Sequence, residues 1–408
     1  MTHPHRPYGV GIAYRNCLHQ EIMRFANQID LLEVPTEDYI IRSRRLATDP
    51  YGWQLREALA TFPSVAHGIS MSIGSVEPLD KAYMDGTLKF LEEYAIDDFS
   101  EHLAFHRMDG VDLTMFLCMP FEETSVDWLA RKYEAAREKL GRPFALENVS
   151  YYFPIPHCAL DEADFLTRLT QKTDCSLLLD VTNIYNNAEN HGYDPMEFIR
   201  RLPGDRVSEL HLAGGHYSDD MWQDSHSAPV MQGVWDLLGP VLDHTAVDVV
   251  ILERDSNFIP FEAVVADLAR ARAIFRKHRP AKPGDGRADR KAPSAGKRSA
   301  GARPVDPLAP EFADLRSFQR ALVREITDPE FCKQVRKDGG GAQTDYPLSN
   351  AWRQRWRACD PKRIDLLAGK WEWITDDARQ DAEHYRQMEW GAWAQAVGTP
   401  PSRAYGSN

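Results

Sequence analysis

Between residues 8 and 255 the chain repeats one pattern eight times: a short run rich in β-branched and aliphatic side chains, then an interval long enough for a helix. The runs fall at 8–14, 29–35, 64–73, 97–105, 144–150, 176–183, 207–213 and 247–255. Strands that alternate with helices build a parallel sheet, because a parallel neighbour is reached only by a long crossover. Eight such units predict an α/β fold of the TIM-type (β/α)8 barrel class, with a doubly wound open sheet as the alternative. The intervals agree: 80–94 carries Leu88, Leu91 and Tyr94 at helical spacing, and 128–140 and 161–169 read the same way. The interval 261–275 places Val264, Val265, Leu268 and Ile274 on one face and reads as the closing helix.

A barrel of about 250 residues accounts for only part of a chain of 408. The segment 277–310 mixes Pro, Gly, Ala and basic residues with almost no large apolar side chain, the composition of a disordered tether. Beyond it, Phe312, Leu315, Phe318, Leu322 and Ile326 mark an amphipathic helix, followed by Trp352, Trp356, Trp371, Trp373, Trp390 and Trp393. The expected organisation is a barrel over 1–276, a basic linker over 277–310, and a small, mainly helical domain over 311–408. Its tryptophans suit either core packing or a peptide-docking surface.

A net charge of −13 opposes nonspecific attraction to nucleic acid or anionic lipid. No apolar run approaches the roughly 20 residues that span a bilayer. The opening MTHPHRPYGV lacks the features of an export signal, so a cytoplasmic location is expected. Cys17, Cys118, Cys158, Cys175, Cys332 and Cys359 form no CxxC pair and adjoin none of the clusters below, which argues against disulfides and against a thiolate zinc site.

In a parallel barrel the loops after the strands share one end, where reactive groups gather. This chain puts His67 at the end of the third run, Glu101 and His102 in the fourth, Glu147 and Asn148 in the fifth, and Asp180 and Asn183 at the end of the sixth. His211 lies in the seventh run, His216, Asp224 and His226 beyond it, and Glu253 in the eighth. Any one of these is as easily a hydrogen-bonded structural group as a ligand. Together, their carboxylates would repel one another in a barrel mouth that offers few basic partners apart from Arg254, and bound cations relieve that repulsion. The donors exceed what one ion takes, so two or three ions are expected, with Glu147 placed to bridge. A nitrogen and oxygen donor set fits iron, manganese or zinc alike. His3, His5, His19, His106 and His157 lie away from strand ends and read as surface residues, and Gly214 and Gly215 as a tight turn before His216.

The segments HGISMSIGS, FSEHLAF, LENVSYY, LLLDVTNIYNNAENHGYDP, ELHLAGGH, DSHSAPV and ILERD, in this order, resemble the multinuclear non-heme iron-dependent oxidative enzymes, formerly called DUF692 and related to the methanobactin biosynthesis oxidase. The similarity runs from Tyr8 to Phe275. It implies a TIM-type barrel with two or three irons in mixed Fe(II)/Fe(III) states, and O2 as co-substrate. The substrate it implies is a ribosomally synthesised precursor peptide modified at a residue, often cysteine. Carried over motif by motif, His67, His102, Glu147, Asp180, His211 and Glu253 resemble the core iron ligands, and Asn183, Asp224 and His226 the set that completes the remaining position. Glu101, Asn148, His191 and His216 would orient ligands or face substrate. Family members often work with a separate leader-recognition protein; the segment LRSFQRALVREITDP resembles the opening of such partners, so the domain after Pro310 is expected to stand in for one.

Two other readings stay open. One is a divalent-metal isomerase or phosphodiesterase in a TIM-type barrel, although the acidic charge without a basic stripe opposes a nuclease. The other is a non-enzymatic metal-binding scaffold that docks partners through its tryptophan-rich domain.

Overall fold

The computed structural model describes residues 7–40, 52–258, 260–279, 306, 308–337 and 346–380. In chain order its strands are β1 (Gly9–Ala13), β2 (Leu32–Pro35), β3 (Ser64–Gly68), β4 (Phe99–His102), β5 (Phe105–Met108) and β6 (Val111–Leu117). They continue with β7 (Ala145–Glu147), β8 (Ser176–Asp180), β9 (Val207–Leu212), β10 (His216–Ser218), β11 (Met221–Gln223) and β12 (Val249–Leu252). Eight of them close into a barrel in the order β1-β12-β9-β8-β7-β4-β3-β2, every neighbouring pair parallel. Each of the eight expected runs supplies one barrel strand. β1 and β12 are buried throughout, which is why they read as continuous apolar runs without a polar alternate. Gly11 lets β1 approach its neighbour: a Cβ there would stand 2.4 Å from the Leu31 carbonyl oxygen.

The helices lie where the spacing puts them, with longer ends. Asp80 caps Lys81–Tyr94 by accepting from the backbone of Ala82 and Tyr83, and Asp161 caps Glu162–Lys172. The helix expected over 128–140 begins a turn and a half earlier, as Glu123–Leu140, and the closing helix runs on as Phe261–His278. Each expected run extends beyond its strand. The third stops at Gly68, and the fourth breaks after His102 before the chain turns into a hairpin of β5 and β6. A second hairpin, β10 with β11, follows β9. Their turns are Asp109–Gly110 (φ 52° and 77°) and Asp219–Asp220 (φ 53° and 56°), the left-handed pairs that suit the twist of two-residue hairpins.

After the barrel come the helices Ala313–Thr327, Pro329–Lys337, Asn350–Ala358 and Pro361–Gln380. They share one apolar core with the barrel. Phe312 packs edge-on against Trp128 at 5.0 Å, and the fully buried Gln319 accepts from Val76 N and donates to Gly74 O, both at 2.8 Å, so one side chain pairs both backbone groups of the loop after β3. Lys132 holds the same loop from the other side, donating to the carbonyls of Ser72, Ser75 and Glu77. Trp352 and Trp356 are buried; Trp352 packs on Phe318 and Trp356 donates to Glu325 at 2.8 Å. Trp371 packs partly against the core, whereas the Trp373 side chain, Trp390, Trp393 and most of the expected linker lie outside the described residues. All six cysteines are free, and no described helix is long and apolar enough to cross a membrane.

Candidate metal centre

The barrel register brings the strand-end residues together. Parallel pairing sets His102 of β4 beside Glu147 of β7, and Asp180 of β8 beside His211 of β9. Their donor atoms converge into three overlapping groups: His67, His102 and Glu147; Glu147, Asp180, His211 and Glu253; and Asp180, Asp224 and His226. Glu147 belongs to the first two and Asp180 to the last two. A fourth group, Glu33, Glu209 and His211, lies on the inner face of β2 and β9, where Glu209 and His211 share a side because strand residues alternate.

Each of the four histidines is tied by one ring nitrogen and open at the other. His102 Nδ1 lies 3.0 Å from the Gly68 carbonyl, which can only accept, so Nδ1 keeps a proton and Nε2 is the nitrogen left to face a ligand. His67 Nδ1 meets Ser100 Oγ at 2.7 Å, His211 Nε2 meets Glu33 Oε2 at 2.7 Å, and His226 Nδ1 meets Asp255 Oδ2 at 3.1 Å. The open nitrogens face carboxylates: His67 Nε2 and His102 Nε2 stand 3.2 and 3.3 Å from Glu147 Oε2, His211 Nδ1 is 2.9 Å from Glu253 Oε2, and His226 Nε2 is 2.7 Å from Asp224 Oδ1. Yet Glu147 Oε2, Asp180 Oδ2, His211 Nδ1 and His226 Nε2 are buried without a hydrogen bond. The atoms are close but not aligned to share a proton. Convergent lone pairs of this kind are the arrangement a cation completes, and a held second nitrogen on each histidine is how metal sites fix ring orientation. The residues present fit two or three ions bound by nitrogen and oxygen.

Electrostatics point the same way. Burial drives Asp180 up to about 8, with Asp224 and Glu147 adding to it. Burial works against a charged His102, but Glu147 and Glu101 outweigh it and leave the ring at about 9. His211 and His226 are likewise raised well above the ordinary imidazole value by the surrounding carboxylates, against the effect of burial. Glu147 is buried too, but His102 and His211 hold it well below the carboxylate range. Without a cation the cluster keeps protons; a cation takes their place.

Of the other expected residues, Asn148 orients Asp180, exchanging hydrogen bonds with both of its backbone groups. Glu101 faces away from the cluster, where Oε2 accepts from Tyr83 Oη and Met71 N and Oε1 from His102 N. The Asn183 amide donates to Asn148 O and accepts from Ser150 Oγ. His191 reaches neither ligand nor cleft, because it lies flat on the Tyr151 ring and bonds that residue's carbonyl. His216 does line the cleft, held by Ser225. Arg254 pairs outward with Asp267; Arg15, just after β1, brings a cation to the mouth and is bonded to Asp255. His19 and His106, expected on the surface, are buried against Glu57 and Asp112, whereas His157 is exposed, and His3 and His5 lie outside the described residues.

Glu33, Arg15, Asp255 and Glu209 were not anticipated. A signal for two of them exists: Glu33 interrupts an aliphatic strand, and Glu209 precedes His211 by two residues, on the same face. The cleft over the cluster has a volume of about 220 Å³ and is walled by Phe116, Tyr151, Trp222, His216 and Lys370. Phe116, from the β5–β6 hairpin, stacks on the His102 ring at 4.2 Å.

The chain is 32% identical over 272 residues to a UPF0276 protein of Acaryochloris marina, covering 67% of this chain and 96% of that one. It is 36% identical to a UPF0276 protein of Shewanella oneidensis, covering 64% and 90%. Among solved structures it resembles a D-psicose 3-epimerase of Clostridium cellulolyticum (TM-score 0.41, 16% identity, 66% and 98% covered) and endonuclease IV of Thermus thermophilus (TM-score 0.42, 14% identity, 66% and 99% covered). The model of one family matches residues 9–276, the whole of the barrel and its ligand groups, and the chain belongs to that family, the RiPP precursor modification enzymes MbnB/TglH/ChrH.

Proposed function

We propose that this chain is an iron- and O2-dependent enzyme that oxidatively modifies a residue, cysteine first among candidates, of a ribosomally synthesised precursor peptide. The observation that carries the reading is the set of open histidine nitrogens and orphaned carboxylate oxygens that meet in three groups sharing Glu147 and Asp180. His67, His102 and Glu147 would hold one ion, Glu147, Asp180, His211 and Glu253 a second, and Asp180, Asp224 and His226 a third. When bound, iron would supply O2 binding and electron transfer, which no side chain of the site provides. The chain's own residues do the rest. Glu33, Ser100, Gly68 and Asp255 fix the four rings, and Arg15 holds Asp255 in turn. Phe116 and Tyr151 give the cleft apolar walls that exclude water from a bound side chain. Burial, reinforced by Lys370, lowers His216, so this ring is neutral near pH 7 and can accept a proton from a peptide group in the cleft.

In this proposal the C-terminal helices take the place of a separate leader-recognition partner. They are packed into the barrel's core, so truncation would expose apolar surface, and point variants are the appropriate test. The decisive experiment is anaerobic purification, elemental analysis and Mössbauer spectroscopy, followed by O2 uptake with a cysteine-containing peptide. Iron with peptide-dependent O2 uptake is expected; zinc alone, with no uptake restored by iron, would overturn the proposal.

A further inference from the structure

One residue lining the cleft comes from outside the stretch that the family model matches: Lys370, on the helix Pro361–Gln380. We propose that Lys370 is a specificity residue that seats a carboxylate of the peptide substrate in the cleft, an inference that rests on the peptide-modifying function above.

Lys370 Nζ donates to Gln223 Oε1 at 3.2 Å and stands 5.3 Å from the centre of the Tyr152 ring. A neutral amide oxygen and a ring face position the ammonium without neutralising it, and no carboxylate among the described residues pairs with it. Its charge therefore remains for a ligand. Arg15, the other cation in the cleft, is committed to Asp255.

The position is built rather than incidental. Arg363, two turns earlier on the same face of that helix, donates Nη1 to Asp219 O at 2.7 Å and Nη2 to Asp220 O at 3.2 Å. These two carbonyls form the turn of the β10–β11 hairpin, and His216, Trp222 and Gln223 of the same hairpin line the cleft. Arg363 thus fixes the helix to this wall and leaves Lys370 facing the cavity. The carboxylate is either the peptide's C-terminus or an Asp or Glu side chain near the modified residue.

The test uses the full-length, metal-loaded protein and an acetylated peptide with one cysteine flanked by glutamate. The peptide is prepared with a free C-terminus and Gln for Glu, with an amidated C-terminus and Glu kept, and with both groups neutral. A water-soluble carbodiimide activates the peptide carboxylate, Nζ displaces the urea by-product, and the amide bond is located by mass spectrometry. Coupling to Lys370 is expected with a charged form, and the form that couples identifies the source. Lys370→Gln should weaken binding of that form about 3- to 10-fold, with Lys370→Arg restoring most of it and metal content unchanged in both. No coupling at Lys370, or a Lys370→Gln variant that keeps the wild-type preference for the charged peptide over the neutral one, would overturn the inference. Failure of the iron reading would appear in elemental analysis instead and leave the coupling intact.

Discussion

Two regions of this molecule bury polar groups in opposite ways. Where the C-terminal helices meet the barrel, Gln319 uses both ends of its amide, and among those helices the Trp356 N–H rests on Glu325. In the barrel mouth, Glu147 Oε2, Asp180 Oδ2, His211 Nδ1 and His226 Nε2 are buried without one. Because an unpaired buried polar atom costs about 1–3 kcal/mol and an unpaired charge more, Gln319 and Trp356 are complete as protein and the mouth is not. The contrast separates residues that hold the fold from residues that hold something else.

Substitutions in the mouth should therefore act on metal far more than on folding. Glu147→Ala, which removes the carboxylate shared by two groups, should lower metal affinity at least about 100-fold, whereas Asp224→Ala should lose about one equivalent of metal. Elemental analysis after dialysis distinguishes them; full occupancy in Glu147→Ala would break the comparison. Across the C-terminal seam the pattern should reverse. Phe318→Ala should cost about 3–5 kcal/mol through the cavity it leaves, and Gln319→Ala about 2 kcal/mol by stranding Val76 N and Gly74 O, both by denaturant unfolding and both with normal metal content. Loss of metal in either would show that the seam and the mouth are not independent.

The smallest effect sharpens the account of the mouth. His102 and Asp180 titrate above their ordinary values in the metal-free cluster, so near pH 7 they hold protons that ligation must expel. Metal loading should release protons into weakly buffered solution, and the release per ion should shrink as pH rises through about 8 for Asp180 and about 9 for His102. Release that does not vary across that range would mean the cluster is already deprotonated before ions arrive.

The barrel was legible because eight buried strands leave aliphatic runs that polar loops interrupt, and His67, His102, Glu147, Asp180, His211 and Glu253 fall at the ends of those runs. The residues that steady the rings were harder to see. Arg15 and Asp255 meet across 240 positions, a pairing that only barrel closure creates. The β5–β6 hairpin was missed although its Asp109–Gly110 turn is a strong local signal, because the run 97–105 read as one strand. Trp352 and Trp356 could not be told from a docking surface by composition, since burial depends on the neighbours that tertiary packing brings.

Asp180 ends β8 and begins the helix Val181–His191, with Oδ1 accepting from Asn183 N and Oδ2 turned toward the donor groups. One carboxylate is thus both the first stitch of a helix and a corner of the ion site. Genetics can part the two roles only by a narrow change: an Asn at this position preserves the stitch and drops the charge, while an Ala removes both at once. A screen that scores activity alone will record the Ala variant as a dead enzyme, when part of what it has lost is the start of a helix.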